Sequence, residues 1–215
     1  PAALLGAALD DPGRPLALRA AILSLEPDVL RPSRSRVVLL ADRPGPLELD
    51  ALDALARLDG SLSPERVRGL LAREDASARA LAVTRAGAAL DLAALSALAR
   101  RDPDPSVRAA AVAALARRDE TEALAAAGAG LFDSDGSVRA SAAQGLGSRG
   151  AESVALLEEL ALQHTAPEAG GPIAALSLTG PAGHESLARL AASHPDPKAR
   201  ALAGLALGRP LPEDH

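Results

Sequence analysis

The 215-residue sequence has no Cys, Trp, Tyr or Met, a single Phe (Phe132) and a single Lys (Lys198). Without Cys there is no disulfide, no thiolate metal site and no Cys nucleophile. With one aromatic residue, the stacking platforms of single-strand nucleic-acid binders are missing. A net charge of −5 also lacks the basic footprint of a duplex binder, so no nucleic-acid partner is expected. No run reaches about 18 uninterrupted apolar residues, so no membrane span is expected. There is no Gly-x-Ser-x-Gly elbow, and the Gly-rich piece 145–150 is not followed by Lys-Ser/Thr. Neither a cofactor nor a catalytic centre is expected, and the chain reads as a non-enzyme.

What fills the chain instead is Ala and Leu, within a hydrophobic content of 48%. A sandwich or barrel would draw on β-branched and aromatic residues, whereas Ala and Leu lead the helix formers. The composition therefore predicts an all-α protein. Near-exclusive use of Arg over Lys fits a GC-rich, bacterial genome. The sequence starts at Pro1, which reads as a processed chain or a fragment and leaves room for a removed signal peptide. The compartment stays open, with the cytoplasm preferred.

One local pattern recurs: an acidic turn, a small or β-branched residue, Arg, then small residues at helical spacing. The best copy is Asp102-Pro103-Asp104-Pro105-Ser106-Val107-Arg108, followed by Ala111, Ala114 and Leu115. Others centre on Arg79, Arg139 and Arg200, with turn acids at Asp75, Asp133 and Asp196. Weaker copies centre on Arg19, Glu48 and Gly171. Successive anchors lie 29 to 32 residues apart, and such a period is the signature of a solenoid. Each period has room for two short helices. First helices are predicted at 64–73, 92–101, 121–131, 151–163 and 186–192, with a second helix after each anchor. In the second helix, Val107, Ala111, Ala114 and Leu115 share one face. Asp and Ser cap it, and Pro fits its first turn.

The Asp-x-x-Val-Arg-x-x-Ala-x-x-Ala-Leu pattern resembles the HEAT repeat, especially the short bacterial type also seen in phycobilisome lyase subunits. The resemblance covers nearly the whole chain and implies a right-handed α-solenoid of about seven hairpins. It is read as one array over 1–215, with irregular copies at 26–60 and 164–180. It implies a protein–protein scaffold or adaptor working through its concave face. The alternative it implies is a subunit of an enzyme complex, as in bilin-lyase-like HEAT proteins. HEAT-like DNA glycosylases need a basic, aromatic-bearing face that this sequence does not have. His184-Glu185 resembles the His-Glu pairs of HEAT-like deoxyhypusine hydroxylases, but one pair cannot hold two irons. With His164, His194 and His215 scattered, no metal site is expected.

Two sets of residues are candidates for a role. Arg19, Arg79, Arg108, Arg139 and Arg200 could form an anion-binding column. Alternatively, they form an internal ladder on turn acids of their own or the adjacent repeat, including Asp102, Asp133 and Asp196. The recurring offsets favour the ladder. The second set is the open face of the second helices, at one, five and eight residues after each anchor. It is made of small residues such as Ala109, Ala113, Ala116, Ala140 and Gly147. Such a face either lets a partner backbone approach closely or reflects tight packing with strong curvature and a compositional bias towards Ala; a partner is expected there around Thr84, Ala113, Arg117 and Gln144.

Overall fold

The computed structural model describes residues 2–208, without the side chains of Ala2 and Ala3. Among the described residues it contains fifteen α-helices, two single 3-10 turns and no strand. The all-α expectation holds. Contacts divide the chain into two compact units, residues 1–86 and 87–215.

In the first unit α1 (Ala2–Asp10) is followed by α2 (Leu16–Leu23), α3 (Pro27–Leu30), α4 (Arg34–Ala41), α5 (Glu48–Asp59), α6 (Pro64–Leu71) and α7 (Ala76–Ala86). Its core is Leu9, Leu23, Leu30, Val37 and the buried face of α5. The irregular copy at 26–60 has a visible cause. Pro27 and Pro32 each sit in the first turn of a helical segment. Proline accepts that position but cannot continue a helix running into it. The first helix of this copy is thereby broken into α3, a 3-10 turn at Arg31–Ser33, and α4.

The second unit is more regular. Its first helices are α8 (Leu92–Arg101), α10 (Thr121–Ala129), α12 (Ala151–Gln163) and α14 (Pro181–Ser193). Its second helices are α9 (Pro105–Ala116), α11 (Gly136–Gly147), α13 (Gly170–Ser177) and α15 (Pro197–Ala206). First helices pack on first helices of neighbouring repeats and second on second, giving two layers. Between the layers lie Leu95, Leu115, Leu131, Leu146, Leu157, Leu176 and Leu187, all essentially dry. The predicted spacing places the core side of α9 and α11 correctly, whereas in α13 the expected Ala174 and Leu178 are exposed and Ile173 and Leu176 are buried instead. Val107, Ala111 and Leu115 are fully buried, and so are Val138, Ala142 and Leu146. Gly150 and Gly180 open the turns into α12 and α14 with φ of 59° and 79°, where a side chain would be strained.

The small residues of the second helices set the spacing of their layer. A Cβ on Gly145 of α11 would lie 2.7 Å from the Cβ of Ala116 on α9. One on Gly147 would lie 2.5 Å from the Cβ of Leu178, just after α13. Ser141 Oγ donates across the same seam to the Ala109 carbonyl at 3.0 Å. Position eight after the anchor is therefore not on the open face: Ala116 and Gly147 are buried under the next helix of the layer. Positions one and five remain accessible, with Ala140 and Gln144 exposed and Ala113 half-buried.

This packing predicts opposite outcomes for two Gly→Ala changes. Gly145→Ala must push α9 and α11 apart and should destabilise the protein by about 1–3 kcal/mol. Gly69→Ala lies on an exposed face of α6 with nothing within 4 Å of the new Cβ. It should be neutral or stabilise by up to about 1 kcal/mol. Urea unfolding of the two variants checks this, and equal effects would contradict it.

Candidate functional site

The anchor Arg residues converge on one repeated turn. At the end of each first helix the chain leaves carbonyl and amide groups without helical partners. Two side chains satisfy them. The acid four residues before the anchor caps the second helix: Asp75, Asp104, Asp135 and Asp196 accept the backbone N–H two residues on, at 2.8–2.9 Å. The anchor Arg then donates Nη1–H to the two carbonyls five and six residues back. Arg79 reaches Arg73 and Glu74, Arg108 reaches Asp102 and Pro103, Arg139 reaches Asp133 and Ser134, and Arg200 reaches His194 and Pro195. Within a repeat, the expected Arg–carboxylate bond is thus replaced by Arg–carbonyl bonds. The turn carboxylates are already engaged by backbone N–H groups.

A carboxylate enters from the next repeat. Arg108 presents its other edge, Nε and Nη2, to both oxygens of Asp133 at 2.8 and 2.9 Å, 25 residues on. The two side chains are only 13% and 14% exposed. The Arg108 guanidinium holds the Asp133 carboxyl below the usual carboxylate range. In the first unit the same offset is used with reversed charge, Glu48 accepting from Arg73. At Arg139 the offset reaches His164, and no carboxylate arrives. Among the described residues, the Nε and Nη2 of Arg139 make no hydrogen bond.

The histidines divide by environment. His194 is buried and holds the turn position that Asp102 and Asp133 hold in their repeats. Its Nδ1 accepts the Asp196 N–H at 3.0 Å, so in this geometry its Nε2 carries the proton given to the Ala161 carbonyl at 2.9 Å. That is a neutral ring used as a pin. His164 donates Nδ1–H to the Leu160 carbonyl and stacks on Phe132 with ring centroids 4.2 Å apart. His184 is exposed and bonds the Gly180 carbonyl. His215 lies outside the described residues. Among the described residues no three His, Asp or Glu side chains are grouped to hold a metal ion.

A cavity of about 630 Å³ opens beside Arg139, lined by Leu131, Phe132, His164, Glu168 and Gly171 among others. With Ala169 and Ile173 buried, the register of α13 puts Gly170 where an anchor Arg would be, one residue before the Gly171 expected from the sequence. A Cβ on Gly171 would lie 3.0 Å from the Leu131 carbonyl oxygen, a contact tighter than side chains ordinarily make. A second opening of about 410 Å³ adjoins at Pro167, lined by Lys198, Leu202 and Leu205. Of the residues expected to meet a partner, Thr84 is exposed on α7 in the first unit. In the second unit Ala113, Arg117 and Gln144 lie on α9, at its C-terminus and on α11, with Arg117 and Gln144 exposed. None of the four lines the cavity. Sequence reasoning missed the cavity, although it marked 164–180 as irregular. The available signal was the missing acid 25 residues after Arg139, beside the only Phe.

The Arg108–Asp133 pair predicts a pH signature. The folded pKa of Asp133 lies below its unfolded value. Its ionisation therefore stabilises the fold above the ordinary aspartate range, about pH 3.9. That contribution is lost as pH falls through the folded value. Arg108→Ala should cost about 1–3 kcal/mol at pH 7. The gap from the parent protein should narrow as pH drops below about 4. Urea unfolding across pH checks this, and a gap independent of pH would contradict it.

A family model described as HEAT repeats matches residues 92–177. A search of curated proteins returns no match. The matched segment runs from the first residue of α8 to the last of α13 and holds three successive hairpins. It contains the clamped turns at Arg108 and Arg139 and the seam between α9 and α11. With that geometry and that match together, residues 92–177 of this chain are HEAT repeats.

Proposed function

We propose that the chain is a non-catalytic scaffold that binds a protein partner on the open face of its second helices. The observation that carries this is the character of that face in the second unit. Its accessible positions are Ala109, Ala113, Ala140, Gln144 and Ala201, uncharged and, Gln144 apart, small, on helices whose first turns are clamped by Asp and Arg. Such a surface lets a partner backbone come close and gives it a rigid bed, as repeat arrays commonly do. Arg117 and Gln144 supply directional bonds at its edge, and Thr84 occupies the equivalent position in the first unit. The anchor period runs unbroken through the sequence, which supports reading 1–215 as one array.

Ala113→Trp and Gln144→Trp test this. Both side chains point away from the Leu core, so the helical circular-dichroism spectrum and unfolding midpoint should be preserved within about 0.5 kcal/mol. Capture of partners from the native host should fall at least tenfold relative to the parent chain. Folded variants that capture the same partners equally well would move the working surface to the first helices or the loops.

A further inference from the structure

We infer that the cavity beside Arg139 is a receptor for an acidic side chain of a protein partner, presented next to apolar residues. The inference deepens the scaffold reading and rests on it for the class of partner. The chain itself shows what this Arg position takes. At Arg108 the inner nitrogen, Nη1, clamps the turn, and the outer edge receives both oxygens of Asp133. Asp133 arrives directly after Leu131 and Phe132.

Arg139 repeats the inner half of this arrangement, with Nη1 on the carbonyls of Asp133 and Ser134 at 2.7 and 2.9 Å. Its outer edge has no acceptor among the described residues. The residue at the matching offset is His164, turned away onto the Leu160 carbonyl and the Phe132 ring. The consequence is an open, exposed guanidinium edge at the wall of an otherwise mostly apolar cavity of about 630 Å³. That volume lies within the range of ligand pockets, roughly 300–1,000 Å³. A carboxylate there would form the same two-point bond that Asp133 forms, with apolar neighbours against Leu131 and Phe132. Lys198 in the adjoining opening adds a second positive charge. The only acid in the lining, Glu168, forms no ion pair with Arg139. It selects against further acids and so gives a control.

The probe is the chain's own segment 129–136, Ala-Gly-Leu-Phe-Asp-Ser-Asp-Gly, as a blocked peptide titrated into the full 215-residue protein. Binding is read from amide shifts at Arg139, Ala140, Ala143, His164 and Gly171. The parent peptide should perturb these amides. The peptide with Asp133→Asn should bind about tenfold more weakly, having lost the charge-assisted pair. Three protein variants follow. Glu168→Gln should bind as well or better. His164→Asp keeps Arg139 in its turn but supplies an internal carboxylate, and should abolish binding. Arg139→Ala should abolish binding too, its folding checked by circular dichroism. Equal affinity for the Asp and Asn peptides, or binding unaffected by His164→Asp, would overturn the inference. So would the absence of any perturbation at millimolar peptide. If octanoate perturbs these amides and the peptide does not, the cavity is a small-acid site and the inference is likewise overturned. Retained capture of native partners by a folded Arg139→Ala variant, together with their loss in Ala113→Trp, would sink this inference while leaving the scaffold reading intact.

Discussion

Each hairpin of the regular repeats is fixed by a clamp between one Arg and one turn. A short turn between two packed helices strands both carbonyl and amide groups near the core, where leaving them unmade costs about 1–3 kcal/mol each. The anchor Arg satisfies two carbonyls and the acid four residues earlier satisfies an amide. Together they set the residue at which the second helix starts. That start determines which side chains face inward, because the residues one before, three after and seven after the anchor then fall on the core side. Were the start shifted by one residue, Val107, Ala111 and Leu115 would rotate by about 100° and leave the core unfilled. The buried His194 shows that the turn geometry is what is kept. It stands where Asp102 and Asp133 stand in their repeats and accepts the same backbone N–H.

A core without aromatic side chains has to be closed by proximity. In the second-helix layer this is done by Gly and Ala, which bring α9, α11 and α13 together until a single added carbon would collide. In the first-helix layer it is done by Leu. Gly128 of α10 meets Leu156 and Leu160 of α12. The tight layer leaves few atoms to project outward, so its accessible positions in the second unit are mostly Ala. The interruption at 164–171 is the largest in the second unit. There the anchor position falls on Gly170 and the incoming acid becomes His164, and a cavity opens beside them.

Much of this fold could be read from the sequence because its signals are local. Helices α8 and α12 begin and end where composition and capping placed them, at Leu92–Arg101 and Ala151–Gln163. The capping acids and the buried phase of α9 and α11 follow from spacing within ten residues. What escaped depends on neighbours a repeat away. That Ala116 and Gly147 are covered could not be seen without knowing where the next helix crosses. That Arg108 bonds carbonyls of its own turn, and a carboxylate only from the next, requires the turn's three-dimensional path. The splitting of the helix at 27–41 is signalled by Pro27 and Pro32, within the stretch 26–60 read as irregular. The cavity is an absence relative to the repeat, so it becomes legible only once the regular pairing is known.

The most direct test of the clamp is the coupling energy between Arg108 and Asp133. It is measured by urea unfolding of Arg108→Ala, Asp133→Ala and the double variant at pH 7. If the repeats are joined through this two-point pair, the double variant should be less destabilised than the sum of the single changes, by about 1–3 kcal/mol. Additive losses would mean that Arg108 acts only on its own turn, and would contradict the account of how one repeat is registered on the next.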